Sequence, residues 1–297
     1  MHTVSYRRFI RTFGFALALA LLCALSQAQD AATLTARHAT LREALKNNAF
    51  QRPLVLESTE SSDALRGDIY ARIDQPMGVV GLALQDAGHW CDILILHLNV
   101  KQCRSFGAAG SARLALAIGS KHDQPLADAY RFEFTHQVVT SQPGYLQVQM
   151  KADQGPMGTR DYRITLEVVA LETGSSFLHL SYAYGYGITA RMAMQLYLST
   201  VGRNKVGFSI IGKQPDGRPV YIAGTRGVVE RNTMRYYLAI QAYLGALSLP
   251  PAQQFEQRLA EWYAGVERYP LQLHELERAD YLGMKREQVK HPPMAAQ

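Results

Sequence analysis

Residue patterns along this chain predict an α+β fold, one antiparallel sheet packed against a long helix late in the sequence. Between about 112 and 184, apolar and polar residues alternate in the runs "ARLALAI", "YRFEFTHQVV", "YLQVQMK", "DYRITLEVV" and "FLHLSYAY", the period of a half-buried strand. Turn residues such as "SQPG" and "ETGSS" separate most of the runs; such links are too short for crossover helices, so the strands form an antiparallel meander. Further on, "RGVVERNTMRYYLAIQAYLGAL" sets Val229, Tyr236, Ile240, Tyr243, Leu244 and Leu247 along one helical face, and Pro250 and Pro251 stop it.

The chain begins with "YRRFIRTFGFALALALLCALSQA", in which Arg7, Arg8 and Arg11 precede an apolar run from Phe13 to Leu25 and then small residues at Ser26 and Ala28. This predicts a secretory signal peptide over 1–28, cut near Ala28, and a periplasmic or secreted protein. The run falls short of the roughly 20 residues a bilayer span needs, so no stable membrane span is expected. Leu22 directly before Cys23 argues against a lipid attachment site, where a small residue is wanted. Removing three arginines from 31 basic residues, against 25 acids, leaves a mature charge of +3. That is too small and too scattered to suggest nucleic acid.

Of three cysteines, Cys91 and Cys103 then remain. An even count in an oxidising compartment favours a disulfide, with two buried free thiols as the alternative. One continuous strand from 91 to 103 would hold the sulfurs apart at a rise of about 3.3 Å per residue, so a bond requires the chain to turn back.

The elements follow in order. Leu34, Leu41 and Leu45 predict a docking amphipathic helix within an N-terminal segment, 29–55. "LRGDIYARI" alternates strictly and is a half-buried strand; Asp74 and Pro76 open a helix, "PMGVVGLALQDAG", which Gly88 closes. After Gly187, "ITARMAMQLYLSTVG" fits a helix over about 189–201, and Met192, Met194 and Leu196 place it near an opening. "KVGFSIIGKQPDGRPVYIAG" is a hairpin turning at Pro215-Asp216-Gly217. Residues 252–268 and 273–290 read as further helices in a C-terminal extension, 248–297.

A strand, a helix ending near a tryptophan, a long meander and a late helix resemble the START-like, polyketide-cyclase and lipid-transfer superfamily, carried by "DIYARIDQPMGVVGLALQDAGHWCDIL" within a domain at 56–247. The resemblance implies the helix-grip fold, a curved sheet wrapped around the helix at about 227–247, and a second short helix over 91–96. With that helix, the chain can reverse near 97–99 and run back through Cys103, so the two sulfurs meet. It also implies an apolar pocket between sheet and helix that takes a hydrophobic small molecule or lipid.

The residues themselves supply aromatic strand faces. Tyr130, Phe132, Phe134 and His136 share one, Tyr162 belongs to another, and Tyr182 and Tyr184 to a third; Tyr236 and Tyr237 are expected to face them from the helix, and Trp90 lies near the mouth. A buried tyrosine hydroxyl needs a partner or a ligand, and ordinary core filling is the alternative for any one of the 16 tyrosines. His136 interrupts an apolar face, which marks a ligand contact or a satisfied core histidine. The expected function is a periplasmic carrier of a hydrophobic ligand without a cofactor or metal. The alternatives are a cyclase- or hydrolase-type enzyme using His136 with a nearby tyrosine, and an envelope assembly factor binding a protein partner.

Overall fold

The computed structural model describes residues 30–108, 110–172, 174–200 and 202–290. The expected signal peptide and its cleavage site lie outside them. The chain forms a helix over 30–46 (α1), strands Leu54–Glu60 (β1) and Ala64–Ile73 (β2), and helices Met77–Leu84 (α2) and Ala87–Leu94 (α3). The meander follows: Val100–Phe106 (β3), Arg113–Ile118 (β4), Tyr130–Gln142 (β5), Tyr145–Gln154 (β6), Thr159–Ala170 (β7) and Ser176–Tyr186 (β8). Then come helix Ile188–Ser199 (α4), hairpin strands Ile210–Lys213 (β9) and Pro219–Tyr221 (β10), and helices Gly224–Gly245 (α5), Pro251–Glu267 (α6), Pro270–Leu273 (α7) and Arg278–Lys290 (α8).

Eight strands make a single antiparallel sheet in the order β1-β2-β8-β7-β6-β5-β4-β3, and α5 lies across its inner face. This is the helix-grip arrangement. In β2, Leu65, Ile69, Ala71 and Ile73 point inward and are buried. Gly67 shares that face, and a side chain there would collide with Thr233 Oγ1, so the glycine lets α5 approach the strand. On the outer face α1 docks as expected, burying Leu34, Leu41 and Leu45 against Tyr145, Val169 and Phe177.

Several elements differ from the sequence reading. The helix opened by Pro76 is two helices, because the Asp86 side chain accepts from the Gly88 and His89 amides and so caps a new helix. Gly88 therefore sits inside α3, and α3 covers Ala87–Leu94 where 91–96 was expected. β1 is an additional strand ahead of "LRGDIYARI", paired to it from Leu54↔Ala71 to Glu60↔Leu65. The long helix is buried nearly all round, Glu230, Arg231 and Arg235 included, since α6 and α7 cover the side turned away from the sheet. The hairpin turns where expected, with Gly217 at φ 83° and its amide donating to Gln214 O at 2.9 Å.

Candidate functional site: an aromatic array between sheet and helix

Strand register brings the aromatic positions together. Phe132 and Phe134 lie on β5, with Phe134 opposite Leu114 and Phe132 opposite Leu116; Tyr162 on β7 pairs with Ala152, and Tyr182 on β8 with Ile164. The rings then form a continuous chain of contacts. Tyr130 meets Phe132 at 6.2 Å between centroids, Phe132 meets Phe134 at 5.2 Å and Tyr162 at 6.0 Å, and Tyr162 stacks on Tyr184 at 5.1 Å. Tyr182 touches Tyr184 at 5.5 Å and reaches Tyr236 of α5 at 5.2 Å. Such separations suit edge-to-face and offset pairs.

The array runs from solvent to core. Tyr130 is 41% exposed and Phe132, Tyr162 and Tyr236 are half-buried, whereas Phe134, Tyr182 and Tyr184 are buried. Burial raises the hydroxyl pKa of Tyr182, Tyr184 and Tyr236, which keeps them protonated as donors. Tyr162 Oη shares a hydrogen bond of 2.9 Å with Thr159 Oγ1. Its ring crosses Gly155, where a Cβ would collide with it, so the glycine lets the ring lie flat.

The remaining expected contacts lie elsewhere. Trp90 is 1% exposed, with Nε1 donating to Leu84 O at 2.8 Å, and belongs to the packing of α3. Tyr237 is buried, its hydroxyl feeling Arg52, Tyr269 and Asp74, while its neighbour Tyr236 is the residue that meets the array. His136 faces Met150 across the strands; burial lowers its pKa, partly countered by Asp86, and its Nε2 has no hydrogen-bond partner among the described residues. Among the described residues no hydrogen bond or ring contact joins His136 to a tyrosine. Cys91 and Cys103 are disulfide-bonded with Cα atoms 5.2 Å apart, tying α3 to the edge strand β3.

The sequence reading missed His97, which stacks on Tyr236 at 4.9 Å. It sits in the turn after α3, outside any periodic pattern, so spacing carries no signal for it. Helix α4 follows β8 and packs on that strand and on the turn at 156–158; only its Ala190 is buried, and Ile188, Met192 and Leu196 are 80%, 65% and 67% exposed. A cavity of about 10 Å³, room for about one water, lies on the other side of α5 beside Trp262, Tyr263 and Tyr281.

No protein-family model matches the chain, and no curated protein matches it. Solved structures similar to it include norcoclaurine synthase from Thalictrum flavum, at 13% identity and TM-score 0.34 over 49% of this chain and 90% of that one. A Streptomyces aromatase/cyclase matches at 10% identity and TM-score 0.35 over 47% and 86%. A START superfamily protein from Mycobacterium smegmatis matches at 12% and 0.33 over 48% and 90%. The fold stands on the strand order and the position of α5.

Proposed function

We propose that this protein binds a hydrophobic or aromatic small molecule, or a lipid, between its sheet and α5, and that it does so as a carrier in the periplasm. The observation that supports this reading is the aromatic array, a connected set of rings that begins at the surface and ends on the core helix. The array is open to solvent at one end, where Tyr130 is 41% exposed, and closes on α5 at the other. The rings now pack on one another, so a ligand has to part them. The helix that follows β8 suits that step, because α4 buries only Ala190 and shifting it disrupts little packing.

The test is organic extraction of protein purified from its own cell envelope, followed by mass spectrometry. The reading expects a defined hydrophobic species that is depleted when the half-buried ring at Phe132 is replaced by Asp. Recovery of bulk membrane lipid alone, in the same proportions from both proteins, would contradict it.

A further inference from the structure

Beside the aromatic array lies a group of cations with too few acids. Arg231 and Arg235, one turn apart on α5, are 2% and 1% exposed. Arg235 Nη2 donates to Leu273 O at 3.2 Å and Glu275 Oε1 at 2.9 Å; Arg231 Nη1 donates to Val206 O at 3.1 Å. Lys121 Nζ reaches the same Glu275 Oε1 at 2.5 Å and the Tyr197 hydroxyl of α4 at 3.2 Å. Lys205 Nζ approaches Glu275 Oε2 at 3.5 Å. Two arginines and two lysines therefore share one carboxylate. The other acid near Arg231 is Glu230, but its oxygens already accept from Ser58, Phe208 and Ser209.

Five buried side-chain nitrogens have no hydrogen-bond partner among the described residues, and two of them belong to this group: Arg235 Nε and His97 Nε2. The Asn99 amide donates to His97 Nδ1 at 3.2 Å, so Nδ1 is an acceptor and Nε2 carries the proton. Asn232 lies close enough to the imidazole to favour its charged form yet makes no hydrogen bond of normal geometry to Nε2. Burial, with Arg235, Lys285 and Lys121 nearby, pushes the His97 pKa well down and keeps the ring a neutral donor. Leaving a buried donor unpaired is unfavourable, and guanidinium offers no acceptor, so only an acceptor group satisfies this place.

We infer that the ligand bound as proposed above ends in an anion, a carboxylate or phosphate, seated against Arg231, Arg235, Lys121 and His97 Nε2 with its apolar body on the aromatic array. The two parts are continuous, since His97 stacks on Tyr236 and Tyr236 packs on Tyr182. The cationic end reaches the surface through the Lys121 and Lys205 side chains, which are 21% and 25% exposed. Neutral hydrophobes leave the cationic end without a counter-charge.

The inference rests on the proposed binding function, and one set of titrations separates the two. Probes are a dansyl-tagged long-chain fatty acid, its methyl ester, and inorganic phosphate, each added to the disulfide-bonded protein at fixed ionic strength. The acid is expected to bind about tenfold tighter than the ester, and the Lys121→Met/Lys205→Met variant to bring the two affinities together. An unchanged near-ultraviolet tyrosine spectrum shows that the variant is folded with its rings in place. Equal affinities of acid and ester overturn the anionic end and leave the binding function standing. If neither amphiphile binds, or only inorganic phosphate does, both fall.

Discussion

Glu230 has donors aimed at both carboxylate oxygens deep inside the molecule. Ser58 Oγ and Ser209 Oγ donate to Oε1 at 2.6 Å each, and the Phe208 and Ser209 amides donate to Oε2 at 2.6 and 2.9 Å. Removing the acceptor leaves two backbone amides buried without a partner, each costing about 1–3 kcal/mol. Glu230→Ala should therefore lower unfolding stability by about 2–5 kcal/mol, measured by urea denaturation; a loss below about 1 kcal/mol would show that water replaces the carboxylate. On the outer face, the charged His179 ring donates at 2.8 Å to both Asp68 and Glu167, under the ring of Tyr70 at 4.3 Å. Burial opposes its charge, but the two carboxylates win and raise its pKa, while Asp68 is held down at about 2 and Glu167 is lowered too. The raised histidine stabilises fully below its unfolded value of about 6.5 and loses this as pH climbs through its folded pKa. The depressed carboxylates stabilise above about 4 and lose it as pH falls toward 2. The contribution of this cluster, read as the difference in melting temperature between the wild type and His179→Gln, should be largest between about pH 4 and 6.5 and shrink as the pH climbs past it. Parallel profiles for the two proteins would remove His179 from the explanation. None of this was legible in the sequence: Asp68 and His179 lie 111 residues apart and meet only through the β2–β8 register.

Elements divide by how locally they are determined. The meander strands and the hairpin turn were legible because each rests on its own period and turn residues, and α1 because Leu34, Leu41 and Leu45 fall on one face. β1 was not, since it is an edge strand whose second half, Ser58, Thr59 and Glu60, is polar, and only its pairing with β2 makes it a strand. The break between α2 and α3 depends on one capping carboxylate, Asp86, inside an otherwise helical pattern. The long helix misled most. A single apolar face was expected, but the sheet buries one side and α6 and α7 the other, and its charged residues face segments on either side of it in the chain: Glu230 bonds Ser58, Phe208 and Ser209, Arg231 reaches Val206, and Arg235 reaches Leu273 and Glu275. That difference also hid half of the candidate site: the rings were readable from strand alternation, whereas the cations draw on Lys121, Lys205 and Glu275 from separate loops. α4 stands at the opposite extreme from α5, with one buried residue and its apolar row at Ile188, Met192 and Leu196 in solvent. Local opening follows packing, so amides of 188–199 should exchange with deuterium at least about a hundredfold faster than those in the middle of α5. Equal protection would mean that α4 is held by contacts beyond these, and would argue against its moving aside for a ligand.

At the scale of the whole molecule, the sheet has two unequal ends. Its β1 and β2 end is held from both faces, by α1 outside and α5 inside. Its β3 end is an edge, and an edge strand lacks ladder partners on one side. The disulfide acts at that end: Cys103 lies in β3 opposite Leu116, and Cys91 in α3, so the bond pins the helix layer to the last strand. The packing there is substantial without it, since Trp90, Ile93 and Leu94 of α3 are at most 1% exposed. The native contacts therefore do not depend on the bond, and its effect falls on the unfolded chain, whose loop between residues 91 and 103 stays closed. On the chain-entropy account, a loop of this length is worth about 3 kcal/mol. Reduction, or the Cys91→Ser/Cys103→Ser variant, should lower the urea midpoint by that amount of stability while the far-ultraviolet spectrum and the inner aromatic packing persist. If the reduced protein instead lost its near-ultraviolet tyrosine signal before unfolding, the bond would be holding the site together; if the midpoint did not move, the unfolded chain would be equally restricted without it.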